Sequence, residues 1–182
     1  MPPFLCTIRG VGDHVFFYGT LMAPFNRPGR QRITSQLTFK GRGRIRAALF
    51  DLGIYPAAIP SEDNSVVWGE TYETGEAASV LAVLDEIEGY RPNEPDRSLY
   101  TRVLADVTLE DGRVEKAWTY FYNAPLGRAQ RIESGDYLEH LNANRSTDYV
   151  SVFSFSLASA STKCAMAAAT RSDGSMNSTP VR

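Results

Sequence analysis

YTRVLADVTLE (residues 100–110), then Asp111-Gly112, then RVEKAWTYFYN (residues 113–123) is the stretch whose reading decides the fold. Two β-type alternating runs flank a turn dipeptide that favours positive φ, so the segment predicts a tight antiparallel hairpin. A two-residue turn would put Val103, Val107 and Leu109 on one face with Tyr120, Lys116 and Val114. Tyr100 and Arg102 would then lie at the open end, near Tyr122.

Upstream, the polar loop RPNEPDRSL (residues 91–99) joins that open end to LAVLDEIEGY (residues 81–90). At about 100° of rotation per residue, Ala77, Val80, Leu81, Leu84 and Ile87 form one apolar stripe. Glu88 falls inside the stripe, one turn beyond Leu84, with Asp85 at its edge and Glu86 opposite. Gly89 reads as the helix stop and Thr74 as a cap at the start. A carboxylate on an apolar face is costly unless it has a partner or a task. Two readings follow: Glu88 pairs with Arg91 or Arg102, or it is a general base whose pKa is raised by desolvation and the negative helix end.

Further upstream, HVFFYGTL (residues 14–21) is an apolar β-type run ending at Gly19, and PFNRPG after it is turn chemistry. Gly19 either permits a simple turn or lets successive N–H groups at the strand end cradle a carboxylate. QLTFKGRGRIRAALFDL (residues 36–52) reads as a long strand or bent pair of strands, with bends or bulges at Gly41 and Gly43. Arg42, Arg44 and Arg46 share a face there. Without interleaved aromatics they suit a solvated sheet face better than an RNA-binding stripe. GIYPAAIPSEDN (residues 53–64) reads as a loop, and SVVWGETY (residues 65–72) as the next strand.

The remaining features narrow the function classes. The chain has 182 residues and a net charge of −2, which offers no general attraction to nucleic acid or acidic membrane. Cys6 and Cys164 form no CxxC pair, and His14 and His140 have no partners at metal-ligand spacing, so neither a zinc site nor a disulfide framework is expected. Neither HExxH nor GxSxG occurs. No signal-like start or membrane-length apolar run is present, which favours a cytoplasmic protein. APLGRAQRIESGDYLEHL (residues 124–141) ends in a short amphipathic piece with Tyr137, Leu138 and Leu141. The organisation expected is an N-terminal flank, 1–13, a domain, 14–141, and a Ser/Ala/Thr-rich tail, 142–182, loosely ordered.

Taken in order, YGTL at 18–21, WGETY at 68–72, LDEIEGY at 84–90 and Y-x-R at 100–102 resemble the gamma-glutamylcyclotransferase-like superfamily. The likeness is to its branch of gamma-glutamylamine cyclotransferases and avirulence-induced plant proteins, and IESGDYLEHL (residues 132–141) is similar to that branch's terminal motif. The resemblance implies an α+β fold, a small mixed β-barrel flanked by short helices, with a cavity at one barrel end and no cofactor. It implies an enzyme that releases an amine and 5-oxoproline from a small gamma-glutamyl compound, with no nucleic-acid or membrane partner. On this resemblance Glu88 is the general acid/base, and Tyr18, Gly19, Thr20 and Leu21 form the loop that holds the glutamyl carboxylate. Tyr100, Arg102 and Tyr122 are further candidates for lining or polarising the site, with Arg102 alternatively a structural partner of Glu88 or Asp85. A non-catalytic binding protein on the same fold is the competing expectation.

Overall fold

A computed structural model describes residues 13–144, and the chain divides after His140 into two units. Of the second unit only 141–144 are described, and they are helical. The N-terminal flank with Cys6 and the tail from residue 145 with Cys164 lie outside the described residues.

The strands of the first unit are β1 (His14–Phe17), β2 (Leu37–Asp51), β3 (Pro56–Pro60), β4 (Val66–Thr74), β5 (Tyr100–Leu109), β6 (Val114–Tyr122) and the short β7 (Gln130–Arg131). The helices are α1 (Pro28–Gln31) and α2 (Ala77–Glu88), residues 137–140 are helical as well, and single 3-10 turns stand at Ala23–Phe25, Thr34–Gln36 and Pro95–Arg97. The sheet runs β2-β4-β1-β6-β5, and β5 returns to β2 to close a five-stranded barrel. Every pairing is antiparallel except β1 with β6, where Val15 lies opposite Trp118. This parallel pair makes the barrel mixed. β3 and β7 extend the far end of β2 beyond the barrel.

Closure depends on the middle of β2. Gly43 pairs with Gly69 of β4 on one side and with Leu109 of β5 on the other. A Cβ on Gly43 would stand 2.7 Å from Val107 Cγ1 and 3.1 Å from the Thr108 carbonyl oxygen. The missing side chain therefore allows the two ends of the sheet to meet. The expected irregularity at Gly41 is a register shift between Phe39 and Gly41, which leaves Lys40 as the extra residue of a bulge. Inside, Val15, Phe16, Ile45, Leu49, Val67 and Val107 are almost fully buried, and α2 adds Val80 and Leu84 to the core. Burial of such side chains, at roughly 1.5–3 kcal/mol each, is the main favourable term holding the barrel.

The hairpin is present, but its register differs from the expectation. Gly112, at φ 85°, takes the left-handed position of a three-residue loop, with its N–H donating to the Leu109 carbonyl and Leu109 N–H to Arg113 O. One extra loop residue shifts every cross-strand partner by one and reverses the face. Val103 therefore lies opposite Thr119 and Val107 opposite Glu115, so the expected grouping with Tyr120, Lys116 and Val114 is incorrect. Tyr100 does meet Tyr122 at the open end.

Two further expectations fail. Residues 53–64 contain strand β3, whose prolines stand at its first and last positions, where a strand tolerates them. Thr74 belongs to β4 and is not the helix cap; the cap position is Glu76, whose N–H is accepted by Thr74 Oγ1 at 3.2 Å. The Arg42, Arg44 and Arg46 face is engaged within the protein. Arg42 pairs with Asp136, Arg42 and Arg44 stack on Trp68, and Arg46 donates to the Asp63 carbonyl. His14 faces Glu115 at 3.4 Å and His140 faces Asp51 at 2.9 Å.

Candidate active site

A cavity of about 160 Å³ opens at one barrel end. β1 delivers one wall. It runs as four buried residues to Phe17 and then breaks into Tyr18-Gly19-Thr20-Leu21, all of which line the cavity. The break is closed as a turn by Met22 N–H donating to Gly19 O at 3.0 Å. Glu70 of the WGETY strand holds the loop from below, because its Oε2 accepts from Ala23 N–H and from the Tyr72 hydroxyl, both at 2.8 Å. Among the described residues the N–H groups of Gly19, Thr20 and Leu21 have no acceptor, which leaves three backbone donors at the cavity.

α2 delivers the carboxylate. The helix ends at Glu88, and Gly89 caps it with φ 64°. Val80, Leu81 and Leu84 of the predicted stripe are buried, and Ile87 and Glu88 turn to the cavity at the helix end. Glu88 keeps some exposed surface, but its carboxyl is withdrawn from water and makes no ion pair among the described residues. Desolvation pushes its pKa up to about 7.

The pairing with Arg91 or Arg102 that would have made Glu88 an ordinary surface acid does not occur. Arg91 pairs with Glu94. Arg102 donates to Asp85 Oδ2 at 2.8 Å, and the Tyr120 hydroxyl donates to Asp85 Oδ1 at 2.7 Å. The Arg102 guanidinium also lies over the Tyr90 and Trp118 rings. Asp85, not Glu88, is thus the acid that fastens α2 to the hairpin.

Tyrosines complete the walls. The Tyr18 hydroxyl donates to Tyr120 O at 2.7 Å and the Tyr100 hydroxyl to Pro56 O at 3.1 Å. Burial pushes both phenols above their ordinary range, with the Glu88 charge contributing, so both remain protonated donors. Of the sequence candidates, Tyr18, Gly19, Thr20, Leu21, Glu88 and Tyr100 come together in one cavity. Arg102 and Tyr122 do not line it; the Tyr122 ring packs edge-on against Tyr100, with centroids 5.3 Å apart. The sequence reading did not name Tyr55, Pro56, Leu99 or Tyr120 as wall residues. Tyr55-Pro56 was hidden because two prolines read as a loop, although a residue before proline is biased toward extended backbone. Among the described residues there is no cluster of three His, Cys, Asp or Glu that could hold a metal, and no helix long and apolar enough to cross a membrane.

Residues 15–139 match the family described as gamma-glutamyl cyclotransferase, AIG2-like, and the chain belongs to that family. It is 31% identical over 128 residues to MJ1514 of Methanocaldococcus jannaschii, provisionally named a gamma-glutamylcyclotransferase, covering 70% of this chain and 98% of that one. It is 32% identical over 126 residues to the gamma-glutamylcyclotransferase family protein YtfP of Escherichia coli K12, covering 69% and 96%. Among solved structures, YkqA from Bacillus subtilis superposes with a TM-score of 0.56 at 25% identity, over 74% of this chain and 42% of that one.

Proposed function

We propose that the protein converts a gamma-glutamyl amine or related amide into 5-oxoproline and a free amine, with Glu88 as general acid/base. The observation that carries this reading is the unpaired Glu88 carboxyl, with its pKa near 7, in the same cavity as the Tyr18–Leu21 loop. The three loop N–H groups hold the substrate's α-carboxylate. The substrate's own α-amine then attacks its γ-carbonyl carbon, so the protein supplies no nucleophile. Glu88 takes the proton lost by the attacking nitrogen. A ring C–N bond forms, the original amide C–N bond breaks, and the same proton passes to the leaving nitrogen.

Proton transfer by Glu88 is effective near neutrality because its pKa lies near the operating pH. Tyr100 shapes the wall beside Glu88. Arg102 and Tyr122 act one step further out, Arg102 by fixing Asp85 on the Glu88 helix and Tyr122 by supporting the Tyr100 ring.

The test is 5-oxoproline release from a panel of gamma-glutamyl amines, gamma-glutamyl dipeptides and glutathione, comparing the protein with Glu88→Gln. Release that is lost in the variant supports the reading. Binding without release by the unaltered protein would instead make it a binding protein on the same fold.

A further inference from the structure

We propose that Arg30 is a positioning residue for the carboxylate-holding loop: from a helix seated on the Glu88 helix it ties both ends of that loop and offsets the Glu70 charge beneath it. This rests on the proposed cyclotransferase reading and concerns how the same site is held in shape.

Burial without a counter-ion is the first observation. Among the described residues His14, Arg30 and Asp136 are buried. Asp136 meets Arg42 and His14 faces Glu115, whereas Arg30, only 6% exposed, makes no ion pair among those residues. Its Nη1 donates to Thr34 Oγ1 at 3.2 Å, and its Nε is buried with no acceptor. A desolvated cation without a counter-ion is costly, so something nearby must compensate it.

The compensation lies at the two ends of the loop. The guanidinium stands 4.5 Å from the Tyr72 ring centroid and 5.4 Å from that of Phe17, and a cation on an aromatic face is attracted there. Phe17 is the last residue of β1, directly before Tyr18. Tyr72 leads to the other end. Its hydroxyl donates to Glu70 Oε2, the oxygen that also accepts from Ala23 N–H. Burial and the Glu70 carboxylate push the Tyr72 phenol above its ordinary range, so it stays a donor. Residues 18–22 thus run between two anchors that share one guanidinium.

Charge adds a second effect. The Glu70 carboxylate lies under a loop that is to hold a substrate carboxylate, and like charges there repel. Arg30, reached from Glu70 through Tyr72, offsets that charge, and no other acid pairs with it. The helix α1 fixes the arginine relative to Glu88. A Cβ on Gly29 would stand 2.9 Å from Ile87 Cδ1, and Arg32, just past the helix, pairs with Glu86 at 2.8 Å. Both contacts fall directly before Glu88, so one helical turn sets the loop against the end of α2.

The test compares Arg30→Met with the full-length parent in 5-oxoproline release from the best substrate of the gamma-glutamyl panel. Calorimetry adds the binding of L-glutamate, which carries the same α-carboxylate. Both KM and the Kd for L-glutamate are expected to rise roughly tenfold, with kcat within about twofold of the parent. Adding Glu70→Gln, which keeps an acceptor for Ala23 N–H and removes the charge, is expected to recover part of both losses; for a purely structural arginine the losses would add. Arg30→Lys keeps the charge and carries the test where the Met variant does not fold; its KM and Kd are expected to rise by a smaller factor. Parental KM and Kd in a folded variant, a loss confined to kcat, or a loss that Glu70→Gln deepens would overturn the role of Arg30 and leave the cyclotransferase reading intact. No 5-oxoproline from the parent with any panel member would overturn that reading, and the Kd values for L-glutamate would then decide Arg30 alone. No binding of L-glutamate by the parent, together with no release, would overturn both.

Discussion

Asp85 and Glu88 lie one turn apart on the same helix, and their surroundings differ completely. Asp85 is gripped by a guanidinium and a phenol from the hairpin. Glu88 has no such partner among the described residues and keeps its proton to about pH 7 because burial alone acts on it. Glu86, between them, points to solvent and pairs with Arg32 at 2.8 Å. One helix thus carries an acid that holds the structure together, an acid on the surface and a buried acid with a raised pKa at the cavity. Neighbourhood, not residue type, separates the roles.

The comparison can be broken most directly at Glu88. Glu88→Gln is expected to lower 5-oxoproline release by roughly a hundredfold to ten-thousandfold with the fold retained, read by product assay together with circular dichroism. The kcat/KM of the unaltered protein is expected to rise through an apparent pKa near 7 as Glu88 loses its proton, and a flat profile between pH 5 and 9 would remove Glu88 from the role of base.

Stability gives the next largest effect, with the opposite sign. The folded protein holds the Glu88 proton more tightly than the unfolded chain, in which the group titrates near 4.5. The cost of the charge is therefore absent below about pH 4.5, grows as the pH rises toward 7, and is complete above it. At pH 8 the Gln variant is expected to be more stable than the parent by as much as roughly 3 kcal/mol, measured by urea denaturation. Equal stabilities at pH 5 and pH 8 would contradict the desolvated placement.

At Asp85 the expectation reverses. Arg102→Met removes a partly buried pair and is expected to destabilise by about 1–3 kcal/mol at pH 7, with turnover falling less than in Glu88→Gln. Glu86→Gln is the smallest change, because the Arg32 pair is exposed and screened; its Tm is expected to match the parent within error.

How much of this was visible in the sequence follows the same division. Glu88 was legible because helical periodicity placed it on the buried stripe and Gly89 fixed where the helix stops. The loop at Tyr18–Leu21 was legible because an apolar strand ran directly into a glycine. Asp85 was legible as an edge position and as one of the two acids that Arg102 could hold, while its second partner, Tyr120, comes from a later strand that no local pattern connects to the helix. The hairpin was certain and its register was not: a DG dipeptide serves two-residue and three-residue loops, and the difference of one residue decides which face each side chain takes. β3 was illegible because prolines at both ends mask a strand of five residues.

Those prolines have a consequence beyond the cavity. β3 is the outermost strand of the sheet order, with β2 as its only ladder partner on that path. Along a strand the amide groups alternate in direction, so those of Ala57 and Ile59 are turned to β2, and positions 56, 58 and 60 are turned outward. Two of the outward positions are proline and have no N–H, and the N–H of Ala58 is taken by the Tyr18 hydroxyl at 3.4 Å. Pro56, Ala57 and Ala58 are buried, so this side of β3 is covered within the protein itself, and the tyrosine that walls the cavity also takes up the outward amide hydrogen that the two prolines leave.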